Sequence, residues 1–282
     1  PPAPPVRMLP FQVEASTMPP PTGDLRIALG LEENELAPFW HDFEQSPHLI
    51  VIGDAETGKT NLLKLIAAGI TQRYDPTEAR VAVVDLRREL YDTIGEGHRL
   101  GYAVSSDVVR QIVEGTAKAL KTRLPGPDIT PAQLRRRDWW KGPQMFFIVD
   151  DYELISGTSD NPFGPVLEYL SQSTEIGLHL IIARSANGAS RAMGDPLLRR
   201  LLEVNTPTLL LSCPPSEGTS SATSGPASYR PAGPCTSPGA EPPRSRPRSP
   251  CRSRRRTRRS WTSHRPPGQR KPLNRAPLSP GP

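Results

Sequence analysis

Residues 47–60 read PHLIVIGDAETGKT, and this stretch decides the fold. Its first half is a short apolar run closed by Gly53, which reads as a fully buried strand. From Gly53 to Thr60 the spacing is G-x-x-x-x-G-K-T, that of a loop whose backbone cradles phosphates. Gly58 permits the tight turn that aims successive N–H groups into one concavity. Lys59 is placed to reach the β- and γ-phosphates, and the Thr60 hydroxyl to ligate Mg²⁺. Helical apolar spacing follows at once in NLLKLIAAGITQRY, so the positive end of a helix faces the same site. The strand before and the helix after are the context that distinguishes a working phosphate loop from a chance match. The nucleotide-binding residues expected here are Gly53, Asp54, Ala55, Glu56, Thr57, Gly58, Lys59, Thr60 and Asn61, with ATP and Mg²⁺ as cofactors. Asp54 and Glu56 are unusual company for a triphosphate, and the loop works only if their carboxylates point outward or are screened.

Working outward, apolar runs alternate with amphipathic ones. RVAVVDL (80–86), MFFIVDD (145–151), GLHLIIA (177–183) and PTLLLSC (207–213) read as further buried strands. SSDVVRQIVEGTAKALKTRL (105–124) opens on a cap signal and keeps three- and four-residue apolar spacing, so it reads as a helix. PFGPVLEYLSQSTEIG (162–177) reads as a helix stopped by Gly177, and DPLLRRLLE (195–203) as a short helix. Strands apolar along their whole length, alternating with helices, imply an α/β fold with a mostly parallel sheet covered on both faces. Before them, DLRIALGLEENELAPFWHDF (24–43) reads as a strand and hairpin laid over the domain edge, anchored by Phe39, Trp40 and Phe43.

MFFIVDD carries the second part of the site. A parallel sheet delivers the carboxylate at such a strand end beside the phosphate loop, where it holds Mg²⁺ through water. Asp150 is that metal and catalytic candidate, with Thr60 as the second metal residue. Asp151 follows where many ring ATPases carry a Glu that polarises the attacking water. Aspartate is one methylene shorter and sets its carboxylate about 1.5 Å further back. A displacement of about 1 Å costs roughly a hundredfold in rate, so slow hydrolysis is expected. Arg184, Arg191, Arg199 and Arg200 follow the fourth strand and are candidates to reach a neighbour's nucleotide, Arg184 and Arg191 first. Arg135-Arg136-Arg137-Asp138-Trp139-Trp140 has two readings, a packed Trp pair beside solvated arginines or a base-stacking contact.

The net charge of +6 hides two opposed parts. From residue 219 onward there are 13 Arg and one Lys against one Glu, so positions 1–218 are acidic overall. The segment 219–282 holds two Leu and no Ile, Val, Met or Phe, too little apolar surface to offset chain entropy, so it reads as disordered. Residues 1–23, with eight prolines, read as an extended linker. The opening Pro-Pro-Ala-Pro-Pro, without Met, fits a piece of a longer chain. Cys213, Cys235 and Cys251 lack disulfide or zinc spacing and fit a reducing compartment. No apolar run of about 18 residues or more occurs, so no spanning helix is expected.

On these residues the chain resembles the FtsK/SpoIIIE class of ATPases, and more narrowly the last ATPase module of the EccC family of type VII (ESX) secretion systems. The resemblance covers about 24–218 and rests on HDFEQSPHLIVIGDAETGKTNLLK, VAVVDLRREL, FIVDDYELI and IIARSANGASRAMGDPLLRRL. After the second strand, DNA-pumping relatives carry an Asp-Pro-Lys step where this chain has Asp85-Leu86-Arg87. The resemblance implies a RecA-like core working in a tandem or hexameric ring at the cytoplasmic face of the plasma membrane. It also implies firm ATP binding, weak hydrolysis, a regulatory role and recognition of a C-terminal signal on small helical substrates. An FtsK-type translocase acting on double-stranded DNA is the alternative, disfavoured by the acidic body. The family's modules end in ordered residues, whereas this chain turns into Pro, Arg, Ser, Gly and Ala, residues of G/C-rich codons. Two readings of that tail stand, a frameshift product or a basic arm for nucleic acid or anionic lipid.

Overall fold

The computed structural model describes residues 8–10, 12–20, 23, 25–33, 35–136, 138–156, 161–192 and 194–212, with backbone only at Ser190 and Arg191. The expectations for 213–282, both readings of the tail included, lie outside the described residues. A 3-10 turn at Ala15–Thr17 leads to an antiparallel hairpin, β1 (Arg26–Leu31) and β2 (Pro38–Asp42). Next come β3 (Leu49–Gly53), α1 (Lys59–Arg73), β4 (Ala79–Val84), β5 (Arg99–Ala103), α2 (Ser106–Lys121), α3 (Pro131–Arg136) and β6 (Gln144–Val149). The chain continues through α4 (Glu153–Ser156), a 3-10 helix (Gly164–Gln172), α5 (Ser173–Ile176) and β7 (Leu178–Ser185). It closes with α6 (Ala189–Ala192), α7 (Pro196–Glu203) and β8 (Thr208–Leu210).

Six strands form one sheet in the order β5-β4-β6-β7-β3-β8, every pairing parallel. This is the mostly parallel, helix-flanked sheet of a RecA-like ATPase. Strands apolar at every position are what two covered faces require. Ile50, Ile52, Val84, Phe147 and Val149 turn to one core, shared with α2, the 3-10 helix and α7. Their neighbours Leu49, Val51, Val83, Phe146 and Ile148 turn to the other, under α1 and the hairpin. Such a sheet brings all its strand C-termini to one edge, where ligands of open α/β sheets bind.

Two local readings differ from the sequence. β5 went unassigned because it is a half-exposed edge strand broken by Gly101 and a register shift against β4. A Cβ at Gly101 would lie 2.6 Å from Ile112 Cδ1, so glycine here gives the Ile112 side chain of α2 room to pack against the strand. The helix before Gly177 is a 3-10 helix to Gln172 with one α-turn after it. Gly177 does stop it, in the left-handed region at φ 73°. The hairpin is anchored by fully buried Phe43, with Phe39 packed beside the same core. Trp40 instead lies half-buried beneath the Arg26 guanidinium, 5.9 Å from its ring centroid.

The tryptophan pair packs in the body. Trp139 Nε1 donates to the Arg123 carbonyl at 2.7 Å, and Trp140 Nε1 to the Glu175 carbonyl at 2.8 Å. The Arg123 guanidinium lies 4.2 Å over the Trp140 ring and donates to the Ile176 and Pro143 carbonyls. Both indole N–H groups are thereby engaged within the fold. Arg135 and Arg136 are exposed, Arg136 paired with Asp138 at 3.1 Å.

At the other end of the strands sit three buried histidines. His179 stacks on Phe146 at 4.4 Å, and His41 lies edge-on to Phe43 at 4.3 Å. His48 Nδ1 accepts the Leu180 amide at 3.0 Å, a bond that a proton on that nitrogen would break. Burial holds His41 down at about 4, and His48 and His179 at about 3, against an ordinary value of 6.5. The unfolded chain therefore binds more protons than the folded one between pH 6.5 and those values, so stability falls as pH drops through that window. Three such groups set a ceiling of about 4 kcal/mol per pH unit. Urea midpoints measured from pH 7.5 to 4.5 should fall with acidification, and His179→Phe should flatten the slope. A wild-type midpoint flat between pH 6.5 and 4.5 would contradict this.

Candidate nucleotide-binding site

The site is built from three neighbouring strand ends, those of β3, β7 and β6. The loop Gly53–Gly58 leaves β3, and Gly58 caps α1 in the left-handed region at φ 96°. Glu56 is also left-handed, at φ 61°, and its side chain is exposed. A Cβ at Gly53 would fall 2.4 Å from Thr57 Oγ1 and 3.1 Å from Leu211 Cβ, so a larger first residue would displace Thr57 from the turn it closes. Thr57 Oγ1 donates to the Asp54 carbonyl at 2.9 Å and closes the turn. Lys59 is buried, its Nζ donating to the Gly53 and Asp54 carbonyls at 3.0 and 2.8 Å.

Asp54 answers half of the charge puzzle in the loop. Its amide donates to Ser212 Oγ at 2.9 Å, and that hydroxyl donates to Asp54 Oδ2 at 3.0 Å. The carboxylate is thus turned toward the segment after β8, while Glu56 projects into solvent. Ser212 was missed from sequence, since nothing in its spacing links it to a residue 158 positions earlier.

β7 lies between β3 and β6, and across it Thr60 Oγ1 donates to Asp150 Oδ2 at 2.7 Å. Asp150 is buried, 4 % exposed. Burial raises its carboxyl above the usual carboxylate range and Asp151 adds to the rise, while the Thr60 hydrogen bond opposes it. A buried carboxylate with a hydroxyl at its side is a hard-oxygen pair suited to Mg²⁺. No group of three or more His, Cys, Asp or Glu among the described residues could hold a metal by itself. The donor set therefore fits a cation that takes its other oxygens from a phosphate and water.

Asp151 is left-handed at φ 46°, its amide donating to Asp150 Oδ1 at 2.9 Å. Its Oδ2 lies 2.7 Å from Arg87 Nε, an ion pair that sequence reasoning did not find. Arg87 is presented by the turn after β4, where buried Asp85 accepts the Glu89 and Leu90 amides and the Tyr102 hydroxyl.

The arginine candidates separate. Arg184 is 2 % exposed, its Nε donating to the Ser185 carbonyl at 3.0 Å, so in this conformation it serves its own loop. Arg191 falls in α6, with its side chain outside the described residues. Arg199 and Arg200 both pair with Glu203 at 3.1 Å on the surface of α7.

A parallel sheet with a glycine-turned loop after one strand, a threonine at the helix start and a buried aspartate two strands over defines a RecA-like P-loop ATPase domain. No family model matches the chain. It is 47% identical over 217 residues to the ESX secretion system protein EccC of Thermomonospora curvata, covering 77% of this chain and 16% of that protein. It is 39% identical to the ESX-4 secretion system protein EccC4 of Mycobacterium tuberculosis, covering 77% and 18%. The chain thus spans less than a fifth of the length of either relative. Among solved structures, ATPases 2 and 3 of T. curvata EccC in complex with a signal sequence peptide superpose with a TM-score of 0.72. That match is at 47% identity over 77% of this chain and 39% of that one. A structure described as an ATPase is 31% identical with a TM-score of 0.67, and there the match covers 85% of the solved chain. Over about three quarters of its length the chain is thus a homologue of the EccC proteins of type VII (ESX) secretion systems.

Proposed function

We propose that this chain is an ATP-binding module of a type VII secretion motor, one that holds nucleotide firmly, hydrolyses it slowly and regulates export. The observation that carries the reading is the Thr60–Asp150 contact, which places the phosphate loop and the acidic end of β6 on one site. The loop N–H groups and Lys59 bind the triphosphate, and Thr60 and Asp150 hold Mg²⁺. The cation supplies neutralisation of charge on the β- and γ-phosphate oxygens. Asp151 is the residue that would orient the attacking water. Its short side chain and its pairing with Arg87 both favour slow turnover.

The partners in this reading are the other ATPase modules of the same motor, in a tandem or hexameric ring, and the C-terminal signal of a secreted substrate. Support for the second comes from the T. curvata relative, whose ATPases 2 and 3 were solved with a signal sequence peptide. The place of work is the cytoplasmic face of the plasma membrane, reached through the rest of the complex. No helix among the described residues is long and apolar enough to cross a membrane itself. Of the trans-acting candidates, Arg184 would have to leave its buried position, so Arg191 is the one to substitute first.

The test is calorimetry with MgATP, followed by titration of the nucleotide-loaded chain with a type VII signal peptide or with duplex DNA. Micromolar or tighter ATP binding, turnover well below one per second and binding of the peptide are expected. Duplex DNA binding in place of peptide would move the assignment to the translocase reading, and rapid turnover by the isolated chain would remove the regulatory one.

A further inference from the structure

A carboxylate in a phosphate loop opposes binding wherever it can reach the phosphates, and Asp54 is placed within reach. Its carbonyl accepts Lys59 Nζ at 2.8 Å, so its side chain springs from backbone that lies against the ammonium meant for the triphosphate. Sheet register decides where that side chain goes. β8 runs parallel to β3, with Ile50 opposite Thr208, Val51 opposite Leu209 and Ile52 opposite Leu210. The pairing continues past the strand, since the Leu211 amide donates to the Ile52 carbonyl at 2.8 Å. One more step along the same register sets Ser212 beside Asp54. Its hydroxyl accepts the Asp54 amide at 2.9 Å and donates to Asp54 Oδ2 at 3.0 Å. A single side chain thus fixes both the backbone at the mouth of the loop and the direction of its carboxylate. The bond to the carboxylate is of the stronger, charge-assisted kind. Glu56 needs no such device, because it is exposed and solvent screens its charge.

We propose that Ser212 is a positioning residue of the nucleotide site: it holds the Asp54 carboxylate beside β8, away from the bound phosphates, and so sets how well the loop tolerates the more highly charged nucleotide. This rests on the ATP-binding reading above. Without the hydroxyl, the Asp54 carboxylate loses its partner and is free to turn to Lys59, whose ammonium already touches the Asp54 carbonyl. There it acts against the ligand in two ways. It competes with the phosphates for the ammonium, and it sets like charge against them. The repulsion grows with ligand charge, and MgATP carries one more negative charge than MgADP. A slackened loop with no stray charge would behave differently. It would weaken both nucleotides alike, because the loop N–H groups close on phosphates that both of them carry.

The experiment is calorimetry with MgATP and MgADP on the full chain. The variants are Ser212→Ala, Ser212→Thr and the double substitution Ser212→Ala with Asp54→Asn. Ser212→Ala should weaken MgATP about tenfold and MgADP about threefold or less. Ser212→Thr keeps the hydroxyl and should restore most of the MgATP affinity that the alanine loses. The double variant should also regain most of it, because the stray charge is gone even though the tie is still cut. Asp54→Glu leaves β8 untouched, and its longer side chain carries the carboxylate past the hydroxyl, so it should repeat the MgATP-selective loss. Equal losses of the two nucleotides, unrecovered by Asp54→Asn, would reduce Ser212 to a structural tie and overturn the proposal. Full MgATP affinity in Ser212→Ala would overturn it too, and in both cases the phosphate site stands. Where Ser212→Ala folds poorly, Asp54→Glu decides, and an unselective loss or none overturns the proposal. A wild-type chain that binds neither nucleotide would remove the nucleotide reading as well.

Discussion

Replacing Lys59 by alanine lowers MgATP affinity by a hundredfold or more and leaves the fold almost as stable as before. The binding loss follows from removing the charged partner of the phosphates at a buried position. Truncating one member of a buried, hydrogen-bonded charge pair costs about 2–5 kcal/mol, and about 3 kcal/mol already exceeds a hundredfold in Kd. The small stability effect follows from the carbonyls that Lys59 contacts. The Gly53 carbonyl also accepts the Ala186 amide at 3.1 Å, and the Asp54 carbonyl also accepts Thr57 Oγ1 at 2.9 Å. Neither is orphaned by the substitution, so a loss of about 1 kcal/mol or less is expected. Calorimetry and urea unfolding on the same preparation check both halves. A Lys59→Ala chain that binds MgATP as the wild type does would remove the phosphate role from this loop.

Phe43→Ala acts in the opposite way, on the fold and not on the site. Phe43 is fully buried where β2 ends, edge-on to Phe146 at 5.5 Å and to His179 at 5.7 Å. It is the plug that fixes the hairpin to the sheet, and its amide donates to the Leu25 carbonyl at 2.9 Å. Deleting a ring from such a place removes its transfer free energy and leaves a cavity, about 3–5 kcal/mol together. The residue sits at the amino ends of β6 and β7, whereas the phosphate loop is at the carboxyl end of β3. ATP affinity measured well below the unfolding transition should therefore be unchanged. Chemical denaturation would show the loss, and Phe43→Leu should recover most of it. A destabilisation under about 1 kcal/mol would mean that the hairpin is not fixed through this ring.

These two residues also mark how much was legible in the sequence. The strand–loop–helix around Lys59 and the acidic strand end at Asp150 are local, and their spacing alone foretold where they lie in the fold. Phe43 was legible as an anchor because a large apolar residue after a polar turn must go somewhere dry. What the sequence hid is long-range or conformational. The Arg87–Asp151 pair joins two loops that only the β4–β6 pairing brings together. β5 was hidden by its own edge position, since a half-exposed strand with glycine in the middle has neither a continuous apolar run nor clean alternation. The 3-10 geometry of 164–172 was invisible for another reason: apolar spacing of three and four suits either kind of helix.

The double contact between Ser212 and Asp54 bears on the order of assembly. The entry to the phosphate loop is pinned by a residue from the far end of the described chain, beyond the last strand. Contacts of such long sequence separation close late, because the intervening chain must first be ordered. The entry to the loop is therefore tied down only when β8 has docked beside β3. On a chain still emerging from the ribosome, β3, α1, β4 and β6 can all be in place while the loop between them stays untied.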